Sequence, residues 1–327
     1  MPLLILFILS CLPVLSHAGM QSVFDPKGID AEQILNLSWV MFIGGGIIFI
    51  LVMLLVLLAL FGPAGMRTSL SKRGWIIGGG IVFPVVVLTG LLVYSLIAAN
   101  RMVQTEKPPA ARIEITGELW WWRVRYLDSR GHTIFETANE IRIPSGRPVD
   151  LLLKSSNVIH SFWVPNLGGK IDMLPGHTNR QRVQATQTGV FRGQCAEFCG
   201  AQHAKMALYV VAQTPEEYER WFAARLQPPP EPDEAMLRLG KRLFLDNRCG
   251  LCHAVRGTEA KGALGPDLSD VGGRQSLGAG ILPNKRGAIA GWITDSQQIK
   301  PGNKMPAFNQ FSGEELRALS AYLESLK

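Results

Sequence analysis

The chain has 327 residues, 47% of them hydrophobic, and a formal net charge of +7. This length is sufficient for two globular domains together with membrane segments. The basic residues are scattered rather than clustered, so they indicate a solvated surface and no nucleic-acid partner. Four of the five cysteines fall in two short clusters with metal-site spacing, which argues against a disulfide framework.

The first 18 residues resemble a signal peptide. They are apolar and end in Ser16-His17-Ala18, a small-x-small sequence of the kind that signal peptidase cleaves, although no basic residue precedes them. Cys11 lies inside this segment, but Leu9-Ser10 before it fits a lipoprotein signal poorly. We therefore predict a signal peptide over 1–18, and both cleavage and lipidation of Cys11 remain open.

Two long apolar runs follow, at about 37–61 and 75–99. Each can cross a hydrocarbon core about 30 Å thick, and such runs without a charge are unusual for buried helices of a soluble protein. The segment between them carries Arg67, Lys72 and Arg73, which favours a cytoplasmic location for it. The sequence therefore predicts a transmembrane hairpin within 19–100, with the N-terminus and all later domains on the outer side.

Short runs of alternating polarity begin after Lys107-Pro108-Pro109 and continue to about residue 226. Their density, with Gly, Pro and Asn turns between them, is typical of a β-sandwich or barrel. A helix is predicted to begin at Thr214-Pro215, where a capping box and a first-turn proline coincide. The predicted strands are RVRYLD, TIFETANEIRIP, VDLLLKSS, QRVQAT and ALYVVA.

The segment FRGQCAEFCGAQHAKM contains Cys195, Cys199, His203 and Met206 within twelve residues. Two thiolates, an imidazole and a thioether are soft and borderline ligands, which favour copper over magnesium or calcium. Cysteine and histidine also bind zinc, but a thioether is a poor zinc ligand. The plain alternative is two buried structural cysteines and a surface histidine. One imidazole is too few for two metal ions, and His160 is the candidate for a second.

A stiff proline-rich linker at 227–232 separates this domain from the last one, 233–327. The last domain contains Cys249-Gly250-Leu251-Cys252-His253, the sequence to which haem c is covalently attached, with the histidine as an axial iron ligand. A redox-active dithiol is the alternative for such a cysteine pair. The histidine that follows, the exported location and a helix-like segment at 236–246 favour haem c.

The second axial ligand is expected downstream of the haem motif. Met305 lies in the loop-forming sequence KPGNKMP, whereas Met236 precedes the motif in the apolar register of a helix, so we expect Met236 in the core and Met305 on the iron. An amphipathic helix is predicted to begin at Ser312. Its apolar face comprises Leu316, Leu319, Leu323 and Leu326.

Together, CAEFCGAQHAKM and NVIHSFWVPNLGGKIDMLPG resemble the binuclear copper A segment of cytochrome c oxidase subunit II, and the likeness extends over about 20–215. The methionine segment KPGNKMP resembles the corresponding loop of class I cytochromes c. These resemblances imply a multidomain membrane protein: a two-helix hairpin, a cupredoxin-like Greek-key β-barrel (101–226) and a small all-α class I cytochrome c domain.

The resemblance also implies specific roles. In the family the two thiolates bridge two copper ions, each imidazole binds one of them, and the thioether and a backbone carbonyl complete the site. The residue that supplies this carbonyl also binds magnesium through its side-chain carboxylate, at the interface with subunit I. A surface tryptophan, Trp120 here, receives electrons from cytochrome c. The copper ligands implied here are His160, Cys195, Glu197 (carbonyl oxygen), Cys199, His203 and Met206, and Glu197 is also the implied magnesium ligand.

Two departures from the family pattern are apparent. Asn157 stands three residues before His160, where relatives usually have aspartate, so an acidic contact near the copper is lost. No Asp or Glu occurs between Glu32 and Glu106, so the glutamate implicated in proton uptake is absent. Another group or subunit would have to supply that proton route.

The functional prediction is an electron-relay subunit of a proton-pumping oxidase in the bacterial inner membrane. Electrons would pass from cytochrome c or another periplasmic donor to haem c, then to copper A, and then to subunit I. The chain itself cannot reduce oxygen, because its two spans contain no histidine. The alternatives are a copper A and haem c subunit of a nitric oxide reductase and a free-standing membrane-anchored carrier. Nitrous oxide reductase needs more histidines than remain here.

Overall fold

The computed structural model describes residues 19–103 and 108–327. The predicted signal peptide, with Cys11, lies outside these residues. The N-terminal part of the described chain is helical. It comprises α1 (Ile29–Phe61), α2 (Ala64–Leu70), α3 (Arg73–Ile77), a π-helical segment (Gly78–Val82) and α4 (Phe83–Val103).

Two helical stretches in this region, Ile29–Phe61 and Arg73–Met102, are long and apolar enough to cross a membrane. With about 1.5 Å of rise per residue, both exceed the roughly 30 Å of a hydrocarbon core. The predicted spans, 37–61 and 75–99, lie inside them. The two predicted apolar spans are therefore confirmed as helices, and both helices begin earlier than the apolar runs.

The early start of α1 has a structural cause. The Lys27 amide donates to the Asn166 carbonyl over 2.7 Å, and Gly28 forms a β-bridge with Ala185. The chain before the helix is thus fixed on the β-domain. A side chain at Gly28 would meet the carbonyl oxygen of Leu167 at 2.4 Å, so only glycine permits this close approach. Helix α1 emerges directly from the surface of the β-domain.

The β-domain consists of two five-stranded sheets, ordered β3-β2-β1-β5-β8 and β4-β10-β9-β6-β7. The inner faces of both sheets enclose one core, in which Ile113, Trp122 and Leu153 are fully buried. The strands are β1 (Ala111–Glu118), β2 (Trp121–Leu127), β3 (Thr133–Ala138), β4 (Glu140–Pro144), β5 (Val149–Ser155), β6 (His160–Trp163), β7 (Ile171–Met173), β8 (Asn179–Val183), β9 (Gly189–Cys195) and β10 (Ala207–Gln213).

The segment TIFETANEIRIP was predicted as one strand, and this prediction is wrong. Asn139 adopts a φ of 60° between β3 and β4, and the two strands belong to different sheets. Asparagine tolerates this left-handed conformation because its side chain is short and can bond locally; here its Oδ1 accepts from the Trp122 amide at 2.8 Å. The period of two continues across the break, so hydrophobic alternation alone does not reveal it.

The C-terminal part is helical with one short β-pairing. Helix α5 starts with the predicted capping box at Thr214, and α9 starts with another at Ser312. Helix α6 crosses α9 closely: a side chain at Gly240 would meet the Ala318 carbonyl at 2.1 Å. The elements are α5 (Pro215–Leu226), α6 (Ala235–Asp246), β11 (Ser276–Leu277), β12 (Leu282–Pro283), α7 (Arg286–Thr294), α8 (Ser296–Ile299) and α9 (Gly313–Ser325).

Three of the four leucines predicted to share a face of the last helix, Leu319, Leu323 and Leu326, are buried in the cytochrome-like core, and Leu316 packs against that core. Met236 does not behave as predicted. It is 40% exposed on α6, so the expectation that it lies in the core is wrong. Apolar periodicity located the helix, but Met236 is its second residue and is exposed there.

Candidate metal centre

The predicted copper ligands meet at one end of the β-domain. Cys195 ends β9, Met206 precedes β10, and His160 is the first residue of β6, which pairs with β9. His160, Cys195 and Met206 are buried, with exposed fractions of 0%, 3% and 1%. The loop between β9 and β10, residues 196–206, is called the copper loop below. Strand register therefore brings a histidine from a distant part of the sequence to this loop.

The separations between these groups fit ligands that share metal ions. The Sγ atoms of Cys195 and Cys199 are 3.7 Å apart. Cys195 Sγ lies 3.8 Å from His160 Nδ1, and Cys199 Sγ lies 3.8 Å from Met206 Sδ. Metal–ligand bonds of about 2.3 Å to sulfur and about 2.0 Å to nitrogen, the zinc values, place tetrahedral ligands roughly 3.5–3.8 Å apart. The donor set and its spacing therefore fit metal binding.

His203 and Glu197 complete the predicted set. His203 Nδ1 is 3.6 Å from Cys199 Sγ, and the Glu197 carbonyl is 3.2 Å from Cys195 Sγ. The Glu197 carboxylate points the other way, 3.5 Å from the Lys170 ammonium, which also lies 3.7 Å from Asp172. The backbone and side chain of Glu197 thus face different surroundings, and this separation is compatible with the two roles predicted for it.

The two thiols share one environment. The contact with Cys199 lowers the pKa of the Cys195 thiol, and the same contact raises the pKa of the Cys199 thiol. One thiolate is therefore stabilised next to one thiol. Two metal ions bridged by both sulfurs would displace the second proton, as expected for thiolate coordination.

Asn157 orients the first histidine. His160 Nε2 donates to Asn157 Oδ1 at 3.0 Å, which leaves Nδ1 unprotonated on the side of Cys195. Such contacts behind a ligating imidazole fix its tautomer and ring orientation. The sequence suggested only that an acidic contact is lost here; the structure shows that the contact itself is kept and that its negative charge is not.

The haem motif lies on a 3₁₀ turn, Cys249–Leu251. His253 Nδ1 donates to the Pro266 carbonyl at 2.8 Å, so Nε2 remains free for a metal. Burial lowers the pKa of His253, which favours the neutral ligand form. Cys249 packs against the apolar cluster that also contacts Met305.

The Met305 loop is held by its backbone. Ser296 Oγ and Gln297 Nε2 donate to the Met305 carbonyl at 3.0 and 2.8 Å, and the Met305 amide donates to Asn303 Oδ1 at 2.8 Å. A thioether on a loop fixed in this way is suited to a metal ligand. Cys249, Cys252, His253 and Met305 therefore form a donor set that fits a covalently attached haem.

Trp120 lies between the copper loop and the C-terminal domain. Its Nε1 donates to the Cys199 carbonyl at 2.8 Å. The ring is half-buried, and a side chain built at Gly302 would lie 3.6 Å from it. The tryptophan predicted to accept electrons from cytochrome c thus lies beside Gly302 of the tethered domain, three residues before Met305.

Sequence reasoning missed Lys300. Its side chain is buried at this contact and donates to backbone carbonyls of both domains. Nothing in the local sequence distinguishes it from a solvated lysine, because carbonyl acceptors carry no residue-type signature. Its position between α8 and the Met305 loop was the only available hint.

Two family models match the chain. Residues 123–213 match the model for cytochrome c oxidase subunit II, periplasmic domain, and residues 237–327 match the model for cytochrome c. The cytochrome c oxidase subunit 2 of Bacillus subtilis is 30% identical over 251 residues, which cover 72% of this chain and 69% of that protein. The chain belongs to the cytochrome c oxidase subunit 2 family.

The cytochrome c oxidase subunit 2 of Alkalihalophilus pseudofirmus is 41% identical over 215 residues, covering 66% of this chain and 61% of that protein. The match therefore spans somewhat less than two thirds of this relative. Among solved structures, the periplasmic domain of subunit II of cytochrome oxidase from Bradyrhizobium japonicum shares 29% identity. The alignment covers 36% of this chain and 95% of the Bradyrhizobium japonicum chain, with a TM-score of 0.34.

Membership of the subunit 2 family accounts for the architecture. Two apolar helices, a cupredoxin-like β-domain and a helical cytochrome c domain follow one another, as the resemblance implied. The short β11–β12 pairing is the one element of the last domain that the all-α prediction did not include.

Proposed function

We propose that this chain is the electron-relay subunit of a respiratory cytochrome c oxidase. It takes electrons from cytochrome c or another periplasmic donor and delivers them to the subunit that holds the oxygen-reducing haem-copper site. The observation that carries this proposal is the position of Trp120: its Nε1 donates to the Cys199 carbonyl in the copper loop, and its own carbonyl accepts from Lys300 of the cytochrome domain. Copper A and haem c, when bound, supply one-electron redox chemistry on the two sides of this residue.

The β-domain residues hold two copper ions in this proposal. The ligands are held by strand register and by buried hydrogen bonds, so the protein resists a change in their geometry. A rigid site with shared thiolates needs little rearrangement when its charge changes, which suits transfer of electrons and not bond-making catalysis. The ligands proposed are His160, Cys195, the Glu197 carbonyl, Cys199, His203 and Met206.

The C-terminal domain holds one haem c. Cys249 and Cys252 would form the thioether bonds, and His253 Nε2 and Met305 Sδ would bind the iron. A methionine and histidine pair raises the reduction potential relative to two histidines. Such a domain can receive electrons from a periplasmic donor and hold them at a potential suitable for the copper centre.

The Glu197 carboxylate is proposed to bind magnesium at the interface with subunit I. Lys170 now lies between Glu197 and Asp172, at 3.5 and 3.7 Å. A divalent cation at this position would have to displace the ammonium. The proposed orientation places both soluble domains in the periplasm, with α1 and α4 crossing the bacterial inner membrane.

Purification of the intact chain from its membrane in mild detergent tests this function. We expect a haem-bearing partner subunit to accompany it, together with oxidation of cytochrome c coupled to oxygen consumption. Recovery of the chain without a haem-bearing partner would contradict the proposal and favour a free-standing carrier. A partner that reduces nitric oxide and not oxygen would equally contradict it.

A further inference from the structure

The cytochrome domain forms hydrogen bonds with the β-domain at several separate positions. Thr137 Oγ1 donates to Asp270 Oδ2 at 2.7 Å, and the Gln275 amide donates to Glu140 Oε2 at 2.7 Å. Further along the contact, Arg123 Nη2 donates to the Ala263 carbonyl at 2.9 Å. Charged and polar groups of the two domains thus form hydrogen bonds with each other outside both proposed metal sites.

The part of this contact next to the copper loop is made by three consecutive residues. Lys205 Nζ donates to the Ile299 carbonyl at 3.1 Å, and Gln202 Nε2 donates to the Pro301 carbonyl at 2.8 Å. Between them, the side chain of Lys300 runs in the opposite direction, from the cytochrome domain into the β-domain. The copper loop and residues 299–301 are therefore interlocked.

The ammonium group of Lys300 is fully engaged. It is only 3% exposed, and Nζ donates to the carbonyls of Trp120, Lys205 and Gly278 at 2.7, 2.7 and 2.9 Å. These acceptors account for all three of its protons. They come from the segment before β2, the copper loop and the β11–β12 turn, so one side chain joins three segments from two domains.

Burying this lysine is energetically costly, which makes a purely incidental position improbable on physical grounds. Burial, followed by repulsion from Lys205, lowers the pKa of Lys300, so its charged form needs well-placed acceptors. A buried cation is tolerated only where donors and acceptors match well, and removal of one partner leaves the others unsatisfied. The three carbonyls supply that match only when the two domains are docked.

We propose that Lys300 is a positioning residue that locks the cytochrome domain against the copper loop and Trp120. The inference rests on the proposed relay function for its consequence, electron transfer between the two centres, but the docking itself does not depend on it. The linker at 227–232 already keeps the two domains at a high effective concentration. Lys300 adds a single fixed orientation, with the Met305 loop next to Trp120.

A fixed orientation matters because transfer between two centres depends steeply on their separation and alignment. A domain that swings on its linker would sample productive and unproductive positions. A domain pinned at residues 299–301 would hold one position through every turnover.

The test uses the complete oxidase complex with three variants: Lys300→Met, Lys300→Gln and the control Lys285→Met. Methionine keeps the length and removes the charge and donors, whereas glutamine retains two donors. Lys285 is exposed in the same domain. Hydrogen exchange is followed at the amides of Ala207 and Gln275, which donate across the interface to Ala279 and Glu140. Transfer from haem c to copper A is followed after flash reduction.

We expect faster amide exchange, by about tenfold or more, in Lys300→Met, a smaller effect in Lys300→Gln and none in Lys285→Met. Electron transfer should slow in the same order, while the haem absorbance and the copper spectrum stay unchanged. Exchange in both Lys300 variants equal to that in Lys285→Met would overturn the proposal. If Lys300→Met does not fold, equal exchange in Lys300→Gln and Lys285→Met would overturn it. Absence of copper or haem from the wild-type complex would instead refute the relay function, and the exchange result would still decide the role of Lys300.

Discussion

The two proposed metal sites are built in different ways. The copper ligands are fixed by the β-domain: His160 is fully buried and hydrogen-bonded to Asn157, and Cys195 and Met206 flank paired strands. The haem ligands are half-buried and come from a 3₁₀ turn and from a loop more than fifty residues later. The β-domain thus presets the proposed copper ligands, whereas the proposed haem ligands come from separate loops of the cytochrome domain.

The difference in architecture should be visible in how each site responds to loss of a ligand. At the proposed copper site, the two sulfurs lie 3.7 Å apart and are the proposed bridging ligands. We therefore expect Cys199→Ser to abolish the binuclear centre. Met206→Leu removes a weak ligand and should retain most copper with an altered spectrum. Metal analysis and EPR compare the two variants, and equal copper retention would contradict the bridging role.

At the haem site, His253→Ala should remove the iron ligand that the Pro266 carbonyl orients. We expect oxidation of external cytochrome c to fall by orders of magnitude, because the cytochrome domain can no longer accept electrons at the correct potential. Artificial donors that reduce the copper directly should remain effective. Steady-state oxygen consumption with both donor types measures this contrast. Unchanged turnover with cytochrome c would mean that electrons bypass this domain.

A milder change sharpens the comparison by loosening only the support of a ligand. Asn157→Ala removes the acceptor for His160 Nε2 while leaving every proposed ligand in place. Loss of such a contact typically reduces metal affinity by about 10- to 100-fold. Copper retention during titration with a chelator measures the effect. Asn157→Asp, which restores an acceptor, is the matched control and should keep the affinity; loss of copper in this variant as well would indicate a different role.

The smallest expected effect concerns the frame of the cytochrome domain. Ser312 caps α9, and its Oγ accepts from the Glu315 amide at 3.3 Å. Loss of an N-cap costs about 1 kcal/mol of stability. Ser312→Ala should therefore lower the denaturant midpoint of the domain slightly, without changing the copper spectrum. Haem absorbance measures this unfolding. Ser312→Asp should preserve the midpoint, and a loss as large in this variant would exclude capping as the cause.

Much of the fold was predictable because its signals are local. Long apolar runs identified α1 and α4, capping boxes located the starts of α5 and α9, and the C-x-x-C-H sequence marked the last domain. Strands β1, β6, β7 and β9 were missed. Three of them are short or rich in polar residues, and their pairing across the sheets, not their composition, defines them.

The candidate copper site was accessible to sequence reasoning because four donors lie within twelve residues and the need for a second imidazole pointed to His160. The resemblance supplied the Glu197 carbonyl. The contact between the domains was not accessible. Lys300, Asp270 and Glu140 are ordinary charged residues in the sequence. Only the folded structure shows that each forms a hydrogen bond with the other domain. Backbone carbonyls, which accept all the protons of Lys300, leave no trace in the sequence.

We propose that this chain binds two copper ions, bridged by the two cysteine sulfurs, and one haem. Metal analysis combined with EPR of the intact purified protein tests it most directly. We predict two coppers and one iron per chain, with an odd electron shared equally between the two copper nuclei in the oxidised state. One copper per chain, or an electron localised on a single nucleus, would contradict the account.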